Sequence, residues 1–203
     1  VITAIRAASR TLADYLTAEF RADPDLGPFF SGAGTMRVWL NTPAEMSATR
    51  AGLSVWLYRV TREEHTLNRP PERIGPEDVR PAPLPVQLHY LLSPMTGSTS
   101  DDAPATEQVI LGKVLQALHD RPQLRGVHLA DDFEGTRAVV SARLESLQID
   151  QLARIWDALR TSYRTSVSYE VTVVDIESRR REHVGPPVEL PLVDPVVVVG
   201  DAS

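Results

Sequence analysis

The sequence predicts an α/β or α+β domain, a mixed β-sheet flanked by helices. Three observations predict it. Helix-like and strand-like segments are interspersed, in the order helix, strands, strand, helix, strand, helix, strand, tail, without the strict alternation of a parallel βαβ protein. The strand-like runs are short and dense in β-branched and aromatic residues. The chain has 203 residues, enough to bury one sizeable core.

Each element has a local reason. Residues 1–20 read as an amphipathic helix, because Ile2, Ile5, Ser9, Leu12 and Leu16 follow helical spacing between Arg and Asp. Pro24, Gly27 and Pro28 end it. Met36–Leu40 is a short strand. Leu53–Val60 is a stronger one, apolar on both faces, as an interior strand covered on both sides would be. Val86–Leu92 alternates Val86, Leu88, Tyr90 and Leu92 against Gln87 and His89. A small, polar loop runs from Pro94 to Asp102. Pro104 opens the next helix, where its missing N–H costs nothing, and Val109, Ile110, Val114, Leu115 and Leu118 form its apolar face. Arg137–Leu147 reads as a strand, Ile149–Leu159 as a helix, and Val167–Ile176 as the last strand.

The 16 prolines divide the chain further. Six of them fall in residues 62–85, which predicts an extended loop with no regular element. Four more fall after Arg179. The expected organisation is a domain over 1–178, carrying the Pro-rich loop 62–85, and an extended Pro/Val-rich tail over 179–203.

Composition removes several functions. There is no cysteine, so disulfides, thiolate metal sites and a cysteine nucleophile are excluded. The net charge of −6 argues against nucleic-acid binding, which needs a concentrated positive face. No apolar run approaches the 18 residues of a membrane span, so no direct membrane insertion is expected. Val1–Phe20 mixes Arg6, Arg10, Asp14 and Glu19 into its apolar residues, unlike a signal peptide, and folding in the cytosol is expected.

No reactive constellation stands out. His65, His89, His119, His128 and His183 have no metal-binding spacing, and each reads as hydrogen-bonded or exposed. Ser31–Thr35 is Gly-rich but lacks the Lys-Ser/Thr and following helix of a phosphate loop, so it reads as a turn. Asp101-Asp102 and Asp131-Asp132 lack the ligand order of a calcium loop and read as solvated carboxylates. The aromatics Trp39, Trp56, Tyr58, Tyr90, Trp156, Tyr163 and Tyr169 read as core. No catalytic, cofactor or metal residue is therefore expected. The alternative from another class is a small hydrolase, with His89, His119 and Asp131 to be tested.

Several segments in succession carry a resemblance. They are Leu57-Tyr58-Arg59-Val60, Asn68-Arg69-Pro70-Pro71, Leu88–Pro94, Glu107 with Ile110–Asp120, Ile155–Leu159, Tyr163–Tyr169 and Val173–Ser178. Together they resemble the tail-terminator, or cap, proteins of extracellular contractile injection systems of the antifeeding-prophage type. The resemblance covers roughly residues 1–178, a single-domain length. It implies a sheet flanked by helices, like phage tail terminators, with no catalytic residue. It implies a homohexameric ring on the last layers of the sheath protein and the inner tube protein, which stops polymerisation and anchors the sheath. The particle would assemble in the cytoplasm and could be released. Another ring component, at the neck or baseplate, is the alternative within the same machine.

The residues suggest where such contacts would form. Arg62, Arg69, Arg73 and Arg80 stand among acidic residues on a Pro-stiffened segment, which costs less entropy to order at an interface than a Gly-rich one. The 20 arginines against one lysine suit paired recognition of carboxylates. Arg179, Arg180 and Arg181 form the basic run and read as a rim contact. Val196, Val197, Val198 and Val199, between Pro195 and Gly200, are expected to pair with a neighbouring subunit, a sheath arm or this chain's own sheet.

Overall fold

A computed structural model describes residues 2–32, 34–47, 49–63, 70, 72–73, 75, 78–97, 101–176 and 182–183. The first helix, α1 (Ala4–Ala22), buries Leu12, Tyr15, Leu16 and Phe20 on one stripe. A short helix α2 (Gly27–Phe30) follows, with a proline in its first turn. Its Phe30 ring lies 4.6 Å from that of Phe20. Then come β1 (Met36–Trp39) and the long strand β2 (Ala51–Arg62).

Segment 62–85 departs from the expected loop. It contains β3 (Glu72–Arg73) and β4 (Asp78–Arg80) and leads into β5 (Leu84–Met95). The remaining elements are α3 (Ala103–Asp120), β6 (Gln123–Leu124), β7 (Val140–Glu145), α4 (Ile149–Ala158), β8 (Val167–Ile176) and β9 (Glu182–His183). Strand β4 pairs with both β3 and β9 in a small separate sheet. Backbone pairing of Glu182 with Val79 thus reaches beyond the expected boundary at residue 178. Prolines punctuate this segment without preventing two- and three-residue strands between them.

Among the described residues the main sheet has six strands, ordered β1-β2-β5-β8-β7-β6. Strands β1 and β2 are parallel and every other pair is antiparallel, so the sheet is mixed. The parallel contact is close. Gly52 has φ +128°, and a Cβ there would lie 2.0 Å from the Arg37 carbonyl oxygen, so the position requires glycine.

Strand β5 explains why the sequence shows only part of it. It extends past Val86–Leu92 at both ends. Pairing with β2 starts at Val86, and pairing with β8 stops at Leu92. Pro94 therefore lies where β5 is paired on one side only, and Pro85 lies past the β2 ladder, where its carbonyl still accepts from the Glu63 N–H at 3.0 Å, so a residue without an N–H is tolerated at both.

Helices α1 and α3 cover one face of the sheet. Leu12, Leu16 and Phe20 of α1 and Ile110, Val114 and Leu118 of α3 form one core with Leu53, Val55, Leu88, Tyr90, Leu92, Tyr169 and Val171. Two buried polar links tie the layers. Ser9 Oγ lies 2.7 Å from the Tyr90 hydroxyl, and the Tyr15 hydroxyl donates to the Ala117 carbonyl at 2.9 Å. Burial pushes the Tyr90 hydroxyl up to about 12, so it stays protonated.

Strand β2 is buried only over Ala51–Val55. Its far end is exposed at Arg59, Val60 and Arg62, which corrects the expectation of a strand covered on both sides throughout. Physically, β1 pairs only residues 51–54, leaving the outer side of the rest without a strand among the described residues. No helix among the described residues is long and apolar enough to cross a membrane.

Candidate functional site

Side chains alternate across a sheet, so the strands that feed the core aim their other residues at the opposite face. That face is polar. Tyr58 and Thr61 of β2, Gln87 and His89 of β5, Glu145 of β7, and Ser168 and Glu170 of β8 form one connected hydrogen-bond network.

Its centre is Glu145. One carboxylate oxygen, Oε2, accepts from Ser168 Oγ at 2.7 Å, the Tyr58 hydroxyl at 3.2 Å and His89 Nδ1 at 3.3 Å. A carboxylate only accepts, so His89 Nδ1 carries a proton, while Nε2 lies 2.9 Å from the Thr61 hydroxyl. Burial disfavours the charged Glu145, but Ser168, His89 and Tyr58 outweigh it and hold the carboxyl below its ordinary value. Burial also raises the Tyr58 hydroxyl. Glu170 accepts from Arg143 through two 3.2 Å contacts.

His89, Glu145 and Glu170 each bring a ligand atom within 4.8 Å of the others. These are the residues that could hold a cation. Each already has protein partners, and both His89 nitrogens are satisfied, so the arrangement is complete as a polar network. His89 is 3% exposed and fits the hydrogen-bonded histidine expected from the sequence. Glu145 and Glu170 were not singled out there. The register that brings them to His89 belongs to the pairing of three strands separated in sequence.

A second feature lies at the β7 edge, on the helix-covered side. Leu115, Leu118, Ala142, Leu144 and Tyr169 line an apolar groove of about 690 Å³, with His119 and Arg143 also lining it. Strand β6 pairs only with Val140 and Ser141, and the Ala142 N–H donates to the Pro122 carbonyl at 2.8 Å. Beyond that point no described strand borders β7. Leu144, two residues on from Ala142, turns its N–H and C=O to the same open side, and its side chain is 50% exposed.

The sequence-derived contact residues are placed unevenly. Arg62 is exposed at the end of β2 and Arg73 is exposed on β3, while Arg80 lies on β4 with its backbone opposite Glu72. Arg69, Arg179, Arg180, Arg181 and Val196–Val199 lie outside the described residues. The acidic pair Asp131-Asp132 corrects its reading as merely solvated. Arg6 Nε donates to Asp131 at 2.5 Å, holding that carboxyl below its ordinary value, and Thr3 donates to Asp132. The pair fastens the start of α1. Of the aromatics, Trp156, Tyr90 and Tyr169 are buried, whereas Tyr163 is half-exposed.

Comparison with known families decides the membership. The family model described as the Pvc16 N-terminal domain matches residues 7–189. The chain belongs to the Pvc16 N-terminal domain family. Two solved structures share the fold. One is the PVC sheath/tube terminator of an extracellular contractile injection system in its extended state, with TM-score 0.60 and 18% identity, covering 100% of this chain and 65% of that one. The other is the anti-feeding prophage cap, a tube-terminating cap, with TM-score 0.59 and 17% identity, covering 94% of this chain and 60% of that one. This chain therefore spans less than two thirds of the length of either. No curated protein matches it in sequence. In this Pvc16 N-terminal domain, the expected mixed sheet flanked by helices is observed.

Proposed function

We propose that this domain caps the distal end of the sheath and inner tube of a contractile injection particle. It ends polymerisation and anchors the sheath as part of a homohexameric ring. The observation that carries this is the match in fold over the whole chain to a sheath/tube terminator, beside this chain's membership of the Pvc16 N-terminal domain family. The match to a tube-terminating cap supports the same role. Its partners are the sheath protein, the inner tube protein and further copies of itself. Assembly takes place in the cytoplasm and the role is non-enzymatic.

The physical logic is that of any head-to-tail polymer. Its open end repeats one interface until a subunit matches that end and presents a different opposite face. Exposed Arg62 and Arg73 serve as paired contacts to carboxylates of a neighbour. Arg69, Arg80 and Arg179–Arg181 serve the same role. The unit 1–178 supplies the ring body, onto which Glu182 and His183 of the following segment pair through β4.

Electron microscopy of particles from a strain lacking this chain tests the reading. Abortive sheaths or a broad spread of particle lengths are expected. Normal, uniform particles would overturn it, as would labelled antibody bound at the baseplate end of intact particles.

A further inference from the structure

The polar face of the main sheet gathers three metal-ligating side chains. His89 of β5 and Glu170 of β8 stand directly opposite each other in the strand register. Glu145 lies two residues beyond Arg143, the residue opposite Glu170 on β7, and so turns to the same face. One ligand atom each of His89, Glu145 and Glu170 lies within 4.8 Å of the others. No sequence spacing announces this set, because its members meet only through the pairing of three strands. Strand order places β8 between β5 and β7, so His89 and Glu145 flank the strand that carries Glu170. We propose that His89 Nδ1, Glu145 and Glu170 bind a divalent transition-metal ion of the zinc class over β8.

The donor set matches that ion. One imidazole nitrogen and two carboxylates suit zinc, whereas calcium and magnesium prefer shells made of oxygen alone. Ligand atoms around a four-coordinate zinc lie about 3.4 Å apart. Nδ1 and Glu145 Oε2 already stand 3.3 Å apart. All three printed donors to Glu145 converge on Oε2, and among the described residues Oε1 accepts no hydrogen bond. Oε1 is therefore free to ligate while Ser168 and Tyr58 hold Oε2, the kind of support that orients a ligating carboxylate. The ion takes the place of the Nδ1 proton. Nε2 then carries the ring proton and donates to Thr61 Oγ1, 2.9 Å away, and the Thr61 hydroxyl turns to Gln87 Oε1 at 3.4 Å. Metal-bound histidines are oriented through their second nitrogen in this way.

Charge and access favour the same ion. Around the triad, the polar face carries the carboxylates of Glu63, Glu145 and Glu170 and the guanidiniums of Arg59 and Arg143. Both arginines are exposed, Arg143 at 78%, and a long exposed side chain keeps its charge in water. The side chains of Glu145 and Glu170 are 20% and 13% exposed, so their charges face each other where solvent screens them less. Arg143 is the resident competitor, with 3.2 Å contacts to both Glu170 oxygens. A polar cleft of about 510 Å³, lined by Glu63, Gln87, Ser141, Arg143 and Glu170, gives a hydrated ion its path to the triad. Once bound, the ion joins β5, β7 and β8. The site is a property of the folded domain and does not rest on the capping reading.

The test is a calorimetric titration of the full chain with Zn²⁺ near neutral pH, after removal of any affinity tag and treatment with a chelator. One ion per chain is expected, with a rise in Tm and binding roughly tenfold or more tighter than that of Mg²⁺ or Ca²⁺. The absence of saturable binding would overturn the proposal, as would equal binding of Mg²⁺ or Ca²⁺. His89→Gln and Glu170→Gln should each weaken Zn²⁺ binding roughly tenfold or more, and His119→Gln, at an exposed histidine outside the triad, should leave it unchanged. Loss of binding in the His119 variant with none in the His89 variant would place the ion elsewhere and end the assignment. Circular dichroism checks that each variant is folded. Arg143→Gln alters only an exposed side chain, so it carries the test even if His89→Gln unfolds. Freeing Glu170 from its competitor should tighten Zn²⁺ binding several-fold, and unchanged or weaker binding in this variant would remove Glu170 from the ligands and overturn the site.

Discussion

The two faces of the main sheet are built by alternate residues of the same strands, yet they are held by different forces. On the helix-covered face, Leu53, Val55, Leu88, Tyr90 and Val171 meet α1 and α3 with little exposed surface. On the other face, Tyr58, His89, Glu145 and Ser168 satisfy one another through hydrogen bonds. The first face gains free energy from apolar area removed from water. The second gains little net energy per bond, because each replaces a bond to water, but leaving any partner unmatched is costly. The apolar face therefore supplies most of the stability, and the polar face fixes strand register.

The comparison breaks most sharply at Leu88. Leu88→Ala removes a fully buried side chain from the apolar face. A loss of about 2–5 kcal/mol is expected in denaturant unfolding. A loss below about 1 kcal/mol would mean that this face is not the main source of stability.

Glu145→Gln probes the polar face. It keeps the shape and removes the charge on which three donors converge. A loss of about 1–3 kcal/mol is expected, with no change in secondary structure. The pH dependence sharpens the contrast. The folded carboxyl is held below its ordinary value of 4.5, so at low pH the unfolded chain binds its proton first. The contribution from Glu145 is present above the unfolded value and is lost as pH falls through the folded one. Urea titrations between pH 6 and 3 should show a smaller acid-induced loss in the Gln variant than in wild type. Identical slopes would remove Glu145 from that role.

The smallest effect is expected at Ser9, a polar link inside the apolar layer. Ser9→Ala leaves the buried Tyr90 hydroxyl without its partner and should cost about 1 kcal/mol. Adding Tyr90→Phe should recover part of this loss, because removing both partners is cheaper than orphaning one.

Much of the fold was legible in the sequence, and the limits have local causes. Val167–Ile176 coincides with β8, and Val86–Leu92 is the part of β5 paired on both sides. Pro85 and Pro94 hid the ends of β5 because a proline looks like a break until the neighbouring strand is known to be absent there. Strands β3 and β4 were invisible because two or three residues carry no periodicity. His89 could be read as a polar-register histidine. Its partners could not, because Thr61, Glu145 and Glu170 come from three other strands. Asp131 looked solvated because Arg6 is distant in sequence.

The sequence by itself determined the layer class, the long elements and the absence of cysteine chemistry, because periodicity and composition are local properties. It also offered the arginines proposed as contacts and the valine run. Only the tertiary structure decided which face of the sheet is polar, where β7 loses its neighbour, and that Leu115, Leu118 and Leu144 border one groove. Those are facts of strand order and register, set by pairings between residues far apart in the chain.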